Sequence, residues 1–342
     1  MKSARKGPPS DRVHGSRALR KSVSRFVSVV AGLLAACVLM EAGLRLRIPA
    51  SNVDLFTYTA PPELYRVMRP NVRGVVYGVP IETNNRGFRS KEDWAAQKPL
   101  GERRIIVLGD SFTVSAGVPF ERIYTAQLEQ RLQALRPAGP HVRVMNLAVG
   151  GYNLQRYSSM LTEVGLALDP DGIVVGIFPY NDFKKESIDR DRRIASGALP
   201  VPRDRREGSY LYLLCRATGW SLKSALSARF SAETEPQAWT EQSKALEAIA
   251  QTARQKGIPA TAVLLPNTAP DFAGQRAAHE KVLALCERIG MRCVDSLDDF
   301  AVSGIPAHRF KLNIIDGHPN AAYHNRVSSR LSRELAGWVE DH

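Results

Sequence analysis

The sequence predicts an α/β fold: a three-layer sandwich with a central parallel sheet, preceded by one N-terminal helix long enough to cross a bilayer. Three observations carry this. From residue 102 onward, short apolar runs alternate with stretches whose apolar residues recur at helical spacing. The links between them are short, which favours a parallel sheet covered on both faces by helices joined through right-handed crossovers. At the other end, a basic stretch leads directly into an apolar run, Phe26 to Met40.

That end explains much of the formal net charge of +13. Residues 1–25 hold Lys2, Arg5, Lys6, Arg12, Arg17, Arg20, Lys21 and Arg25 against the single acid Asp11. No zinc-finger, homeodomain-like or RNP-type signature accompanies them, so no nucleic-acid partner is expected. Residues 26–46 supply the ~20 residues that span a ~30 Å hydrocarbon layer. Glu41 and Arg45 fall near its far boundary, within reach of headgroups. A cleaved signal peptide would want a small-x-small site followed by polar sequence, and a lipoprotein box is suggested by Leu34-Ala35-Ala36-Cys37. In both cases the apolar run continues past the site, so an uncleaved signal anchor fits better. The positive-inside rule then leaves residues 1–25 as a cytoplasmic tail. The chain becomes a single-pass protein of the inner membrane, with everything after residue 46 on the periplasmic side.

Residues 47–101 are rich in Pro, Gly and Asn and read as a linker followed by one or two small hairpins, closing at Asn84-Asn85-Arg86-Gly87. The domain proper spans 102–342. Strands are expected at Arg103–Leu108, Val142–Leu147, Gly172–Phe178, Ala260–Leu265 and Met291–Val294. Helices are expected at Tyr124–Leu135, Gln155–Leu168, 238–256, 272–289 and from about Ala321. Residues 183–236 break this rhythm and read as an insertion over the top of the sheet, built from a hairpin and a helix. Its aromatic residues Tyr210, Tyr212 and Trp220 could be sugar platforms or core. Cys286 and Cys293 could pair in an exported domain, or stay as buried thiols. No spacing suggests a metal site, and no cofactor motif is present.

Ligands of an open parallel sheet bind outside the carboxyl ends of its strands. Four polar clusters fall there: Gly109-Asp110-Ser111-Phe112-Thr113, Asn146-Leu147-Ala148-Val149-Gly150-Gly151-Tyr152-Asn153, Pro179-Tyr180-Asn181-Asp182, and Asp316-Gly317-His318-Pro319-Asn320. Taken singly, each is ordinary turn and helix-cap chemistry. Together they bring a serine, two candidate oxyanion donors and an Asp/His pair to one sheet edge.

In this order the clusters resemble the four blocks of the SGNH hydrolases, also called GDSL esterases, over roughly residues 102–340. Ser111 in GDSFT, Gly151 in NLAVGGYN, Asn181 in PYND and His318 in DGHPN match the Ser, Gly, Asn and His blocks. The segments NNRGFRS and PDGIVVGIFPYND look like a bacterial membrane-tethered branch. The resemblance implies a flavodoxin-like strand arrangement and a serine nucleophile, Ser111, with His318 as base and Asp316 as the acid that orients it. It also implies an oxyanion hole from the N–H groups of Ser111 and Gly151 and the amide of Asn181. Many family members use Asp-x-x-His; here the spacing is Asp316-x-His318, similar to the alginate O-acetylation proteins, and Ile315 holds the commoner acid position. Tyr180 replaces a glycine often found before the Asn. No Gly-x-Ser-x-Gly elbow is present, which disfavours an ordinary α/β-hydrolase. The expected activity is removal of an acyl group, acetyl above all, from an envelope carbohydrate or lipid. The alternatives are O-acyl transfer to an exported polysaccharide and non-catalytic glycan binding.

Overall fold

The structure, a computed structural model, describes residues 12–58, 64–184, 188–201, 208–216, 219, 236–269 and 272–337. Five parallel strands form the central sheet. They are β5 (Glu102–Leu108), β6 (His141–Asn146), β7 (Gly172–Ile177), β8 (Ala260–Leu264) and β9 (Arg292–Asp295), after two short antiparallel pairs, β1 (Phe56–Thr57) with β2 (Val67–Met68) and β3 (Arg73–Val76) with β4 (Val79–Glu82). The order across the sheet is β6-β5-β7-β8-β9. This is the doubly wound arrangement in which the second strand lies outside the first, so the connections leave in opposite directions from β5 and open a crevice there.

The inner strands β5, β7 and β8 are short, largely apolar and buried on both faces, as central parallel strands must be, while the edge strands β6 and β9 are partly exposed. Alternate residues feed two cores. Ile106, Leu108, Val175 and Leu264 pack with helices Leu154–Met160, Pro236–Gln255 and Arg276–Arg288, whereas Ile105, Val107, Val174 and Val263 pack with Tyr124–Leu135 and Ala321–Glu334. At ~25 cal/mol per Å² of apolar area, these faces supply the main drive for folding. The stretch expected as one helix over 155–168 starts as α-helix, loosens at Leu161–Gly165 into wider turns and ends in a tight turn at Leu166–Leu168. Asp169 then adopts a left-handed φ of 52° and Pro170 follows. Cys286 and Cys293 are joined in a disulfide, with Cα atoms 6.1 Å apart, so the helix before β9 is tied to β9.

Residues 47–101 do more than link. Leu64, Phe88 and Trp94 enter the main core. Two buried arginines bind the segment down. Arg104 on β5 donates to the carbonyls of Ala95 and Gln97 at 3.1 and 3.3 Å, while Arg89 donates to those of Val114 (2.7 Å), Ser115 and Val118. The expected hairpin in 183–236 is not found among the described residues. Ile188–Ala195 is a helix, because Asp191 and Ile194 fall at i, i+3 and both are buried. Residues 210–216 are also helical, as expected there, and bury Tyr210, while Tyr212 is exposed and Trp220 lies outside the described residues.

The N-terminal helix runs Arg12–Arg47 without a break, so part of the basic tail is continuous with it. Its Ser22–Arg47 stretch is long and apolar enough to cross a membrane; its most apolar window is not buried by the rest of the chain, while Leu44 near its end packs against a third core. Glu41 and Arg45 reach protein partners. Glu41 accepts from the N–H groups of Tyr210 (3.1 Å) and Leu211 (2.7 Å), capping the 210–216 helix, and Arg45 donates to the Gly208 carbonyl at 3.0 Å.

Candidate active site

Ser111 owes its position to the end of β5. A Cβ on Gly109 would collide with the Thr113 side chain, so glycine lets the chain turn tightly there. Asp110 then caps the helical turn Ser111–Val114 by accepting from the Phe112 N–H at 2.8 Å. The capping role open to this cluster therefore falls to Asp110, and the Ser111 hydroxyl is left for another partner.

That partner comes from 207 residues away. His318 Nε2 stands 2.8 Å from Ser111 Oγ. Asn320 caps the last helix through the N–H groups of Ala322 and Tyr323, and its amide nitrogen donates to the Arg309 and Lys311 carbonyls. Thr268 donates to the Gly317 carbonyl at 2.6 Å, so the Asp316–Asn320 loop is held at both ends. Within it, Asp316 Oδ1 accepts from the His318 N–H at 2.9 Å and from Nδ1 of the same ring at 2.5 Å. A single intervening residue lets one carboxylate bond both, which accounts for the short Asp-x-His spacing. Burial alone would raise the Asp316 carboxyl. The charge and hydrogen bonds of His318, joined by a hydrogen bond with the Tyr77 side chain, outweigh it and hold the group well below the usual carboxylate range. An ionised Asp316 only accepts, so Nδ1 carries the proton and Nε2 is free to accept from Ser111. Ile315 is buried in a third core with Tyr77.

Gly150 and Gly151 follow β6 and line the same cavity as Ser111, a space of about 590 Å³. Gly151 has φ +78°, which favours glycine, and a Cβ there would come within 2.7 Å of Arg66 Nη2, so the guanidinium would have to move. Among the described residues no hydrogen bond uses the N–H of Ser111 or of Gly151. Asn181 follows β7. Its Nδ2 donates to Asp110 Oδ2 and to the Tyr152 carbonyl, each at 3.1 Å. Both amide hydrogens thus have acceptors at rest, and donating to a third oxygen requires one of them to be shared or moved.

Beneath Asn181 lie two buried acids. Burial pushes Asp110 up to about 6, against the Phe112 N–H, the charge of His318 and the amide of Asn181. Burial, and next the charge of Asp110, drive Asp182 well above its ordinary value. Asp182 accepts from the Tyr157 hydroxyl at 3.0 Å and the Phe178 N–H at 2.8 Å. Among the described residues no group of three or more His, Cys, Asp or Glu side chains is placed to hold a metal ion.

The structure brings together all five residues singled out from the sequence: Ser111, Gly151, Asn181, Asp316 and His318 line one cavity. No family model and no curated protein matches the chain. Among solved structures it is similar to TesA, with 16% identity over 69% of this chain and 99% of that one and a TM-score of 0.43. It is similar to Axe2, an acetylxylan esterase from Geobacillus stearothermophilus, with 16% identity over 68% and 94% of the chains and a TM-score of 0.44. A lipolytic protein of the G-D-S-L family from Desulfitobacterium hafniense DCB-2 shares 14% identity over 67% and 98%, with a TM-score of 0.40.

Two site residues escape the sequence motifs. Tyr77 bonds Asp316, and Arg66 lies against Gly150 and Gly151. Both belong to the 47–101 segment, where neither carries a sequence signal of chemistry.

Proposed function

We propose that the chain is a membrane-anchored serine esterase that removes a short acyl group, acetyl by the family resemblance, from a carbohydrate or lipid of the cell envelope. The observation that carries this reading is the continuous chain Asp316–His318–Ser111, with spacings of 2.5 and 2.8 Å, opening on the cavity. His318 Nε2 takes the proton as Ser111 Oγ attacks the ester carbonyl. Negative charge then develops on the carbonyl oxygen, where the N–H groups of Ser111 and Gly151 stabilise it, joined by Asn181 once one of its hydrogens leaves its resting acceptor. Collapse expels the alcohol, which takes the proton from His318 and leaves an acyl-Ser111. Water, deprotonated by His318, repeats the cycle and releases the acid. The His318 side chain is 40% exposed, which suits delivery of water to the acyl-enzyme and favours hydrolysis over transfer.

The apolar stretch of the first helix supports an anchor, and the basic residues before it support a cytoplasmic N-terminus with the site on the periplasmic side. The test is hydrolysis of p-nitrophenyl acetate and of acetylated glycans by the full-length chain in detergent. Activity lost in Ser111→Ala supports the reading; activity retained in that variant contradicts it. With donor ester and sugar acceptor both supplied, free acid should dominate, and an excess of acylated sugar would turn the reading to transfer.

A further inference from the structure

The carbonyl of Gly150 and the N–H of Gly151 belong to one planar, resonance-coupled peptide unit. Arg66 Nη2 donates to that carbonyl at 2.6 Å. The guanidinium also packs so closely on Gly151 that a methyl group there would meet Nη2. Two contacts flank the guanidinium and a third holds the Arg66 backbone. Asp191 Oδ2 lies 3.9 Å from Nε, the guanidinium sits over the Phe56 ring at 5.3 Å, and Tyr152 donates through its hydroxyl to the Arg66 carbonyl. Asp191 is itself held by the buried Arg156 at 3.1 Å.

A cation on a peptide carbonyl draws electron density along the amide and makes the N–H at its other end a stronger donor. Here that other end is the Gly151 N–H, which no hydrogen bond occupies among the described residues. We infer that Arg66 is a positioning residue of the oxyanion hole, polarising and fixing the Gly150–Gly151 peptide so that its N–H meets the developing oxyanion. This rests on the esterase reading above. The hole is then completed from outside the sheet, by a residue immediately before β2 whose partner Asp191 lies on the Ile188–Ala195 helix.

The test compares Arg66→Gln and Arg66→Lys in the full-length chain, using p-nitrophenyl acetate and phenyl acetate. Removing a whole oxyanion donor costs on the order of 10²–10³ in rate, so weakening one should lower kcat about tenfold in Arg66→Gln, with KM within about twofold. Arg66→Lys, which keeps the cation, should recover most of that loss. Thermal unfolding run alongside should show Gln and Lys variants melting together. Wild-type kcat in Arg66→Gln overturns the inference. So does a loss carried by KM, which would make Arg66 a substrate contact, or a loss that tracks the melting temperature and is not rescued by Lys. A wild-type chain that neither hydrolyses these esters nor is labelled at Ser111 by a fluorophosphonate overturns the esterase reading itself, and this inference with it.

Discussion

His318 Nε2 and Ser111 Oγ lie 2.8 Å apart, where the loop before the last helix meets the helical turn that follows β5. The contact depends on Asp316, whose carboxylate holds the ring by Nδ1 and the backbone by the His318 N–H.

Replacing Asp316 by Asn should therefore leave the fold intact and lower kcat about 10⁴-fold, since an amide no longer enforces the tautomer or balances the imidazolium. His318→Ala should cost at least as much. Steady-state kinetics with far-UV circular dichroism on each variant separates this from a structural role: loss of secondary structure in step with activity would contradict it.

Asn181→Ala should lower kcat by about 10²–10³ with a modest change in KM. The same change removes a donor from Asp110, already pushed up to about 6 by burial, and so should raise that carboxyl further. Kinetics across pH reads the first effect; a rate within threefold of wild type would remove Asn181 from the oxyanion hole.

Arg89 is buried and donates to the carbonyls of Val114, Ser115 and Val118, which fix the turn behind Ser111. Arg89→Met strands these acceptors and should destabilise the chain by about 3–5 kcal/mol. Denaturant unfolding measures it, and a loss under about 1 kcal/mol would contradict this account of the turn.

His324 is fully buried, stacked on Tyr124 at 5.9 Å, and neither ring nitrogen has a hydrogen-bond partner. Burial, with a smaller contribution from Arg89, lowers it to about 3. The folded chain keeps this ring neutral while the unfolded chain protonates it below its ordinary value, so stability falls as pH drops from about 6.5 towards 3. His324→Phe fills the same space without titrating. It should be more acid-resistant than wild type, by on the order of 2–3 kcal/mol at pH 4.5, with little difference at pH 8. Equal pH dependence of the two melting curves would contradict this.

The sheet was legible because parallel strands buried on both faces, such as Gly172–Ile177, leave a continuous apolar signature. Four of the residues now gathered at the cavity were legible because each sits at the end of a regular element: Ser111 after β5, Gly151 after β6, Asn181 after β7 and His318 before the last helix. Arg66 and Tyr77 were not. Their roles depend on how residues 47–101 fold back onto the sheet, a long-range packing that no local spacing encodes. The pairing of Asp110 with Asp182 around Asn181 was hidden for the same reason, since each aspartate alone reads as a helix cap or turn residue. The helix at Ile188–Ala195 was obscured by its unbroken run of charges, residues 189–193, between two isoleucines.

The most direct test of the account is covalent labelling of the full-length chain with a fluorophosphonate, followed by peptide mass mapping. A single adduct is expected on Ser111, absent in Ser111→Ala and formed at least 10³-fold more slowly in His318→Ala, because the hydroxyl is a weak nucleophile without its base. An unlabelled Ser111, or labelling at the wild-type rate in His318→Ala, would contradict the proposal that this serine is activated by this histidine.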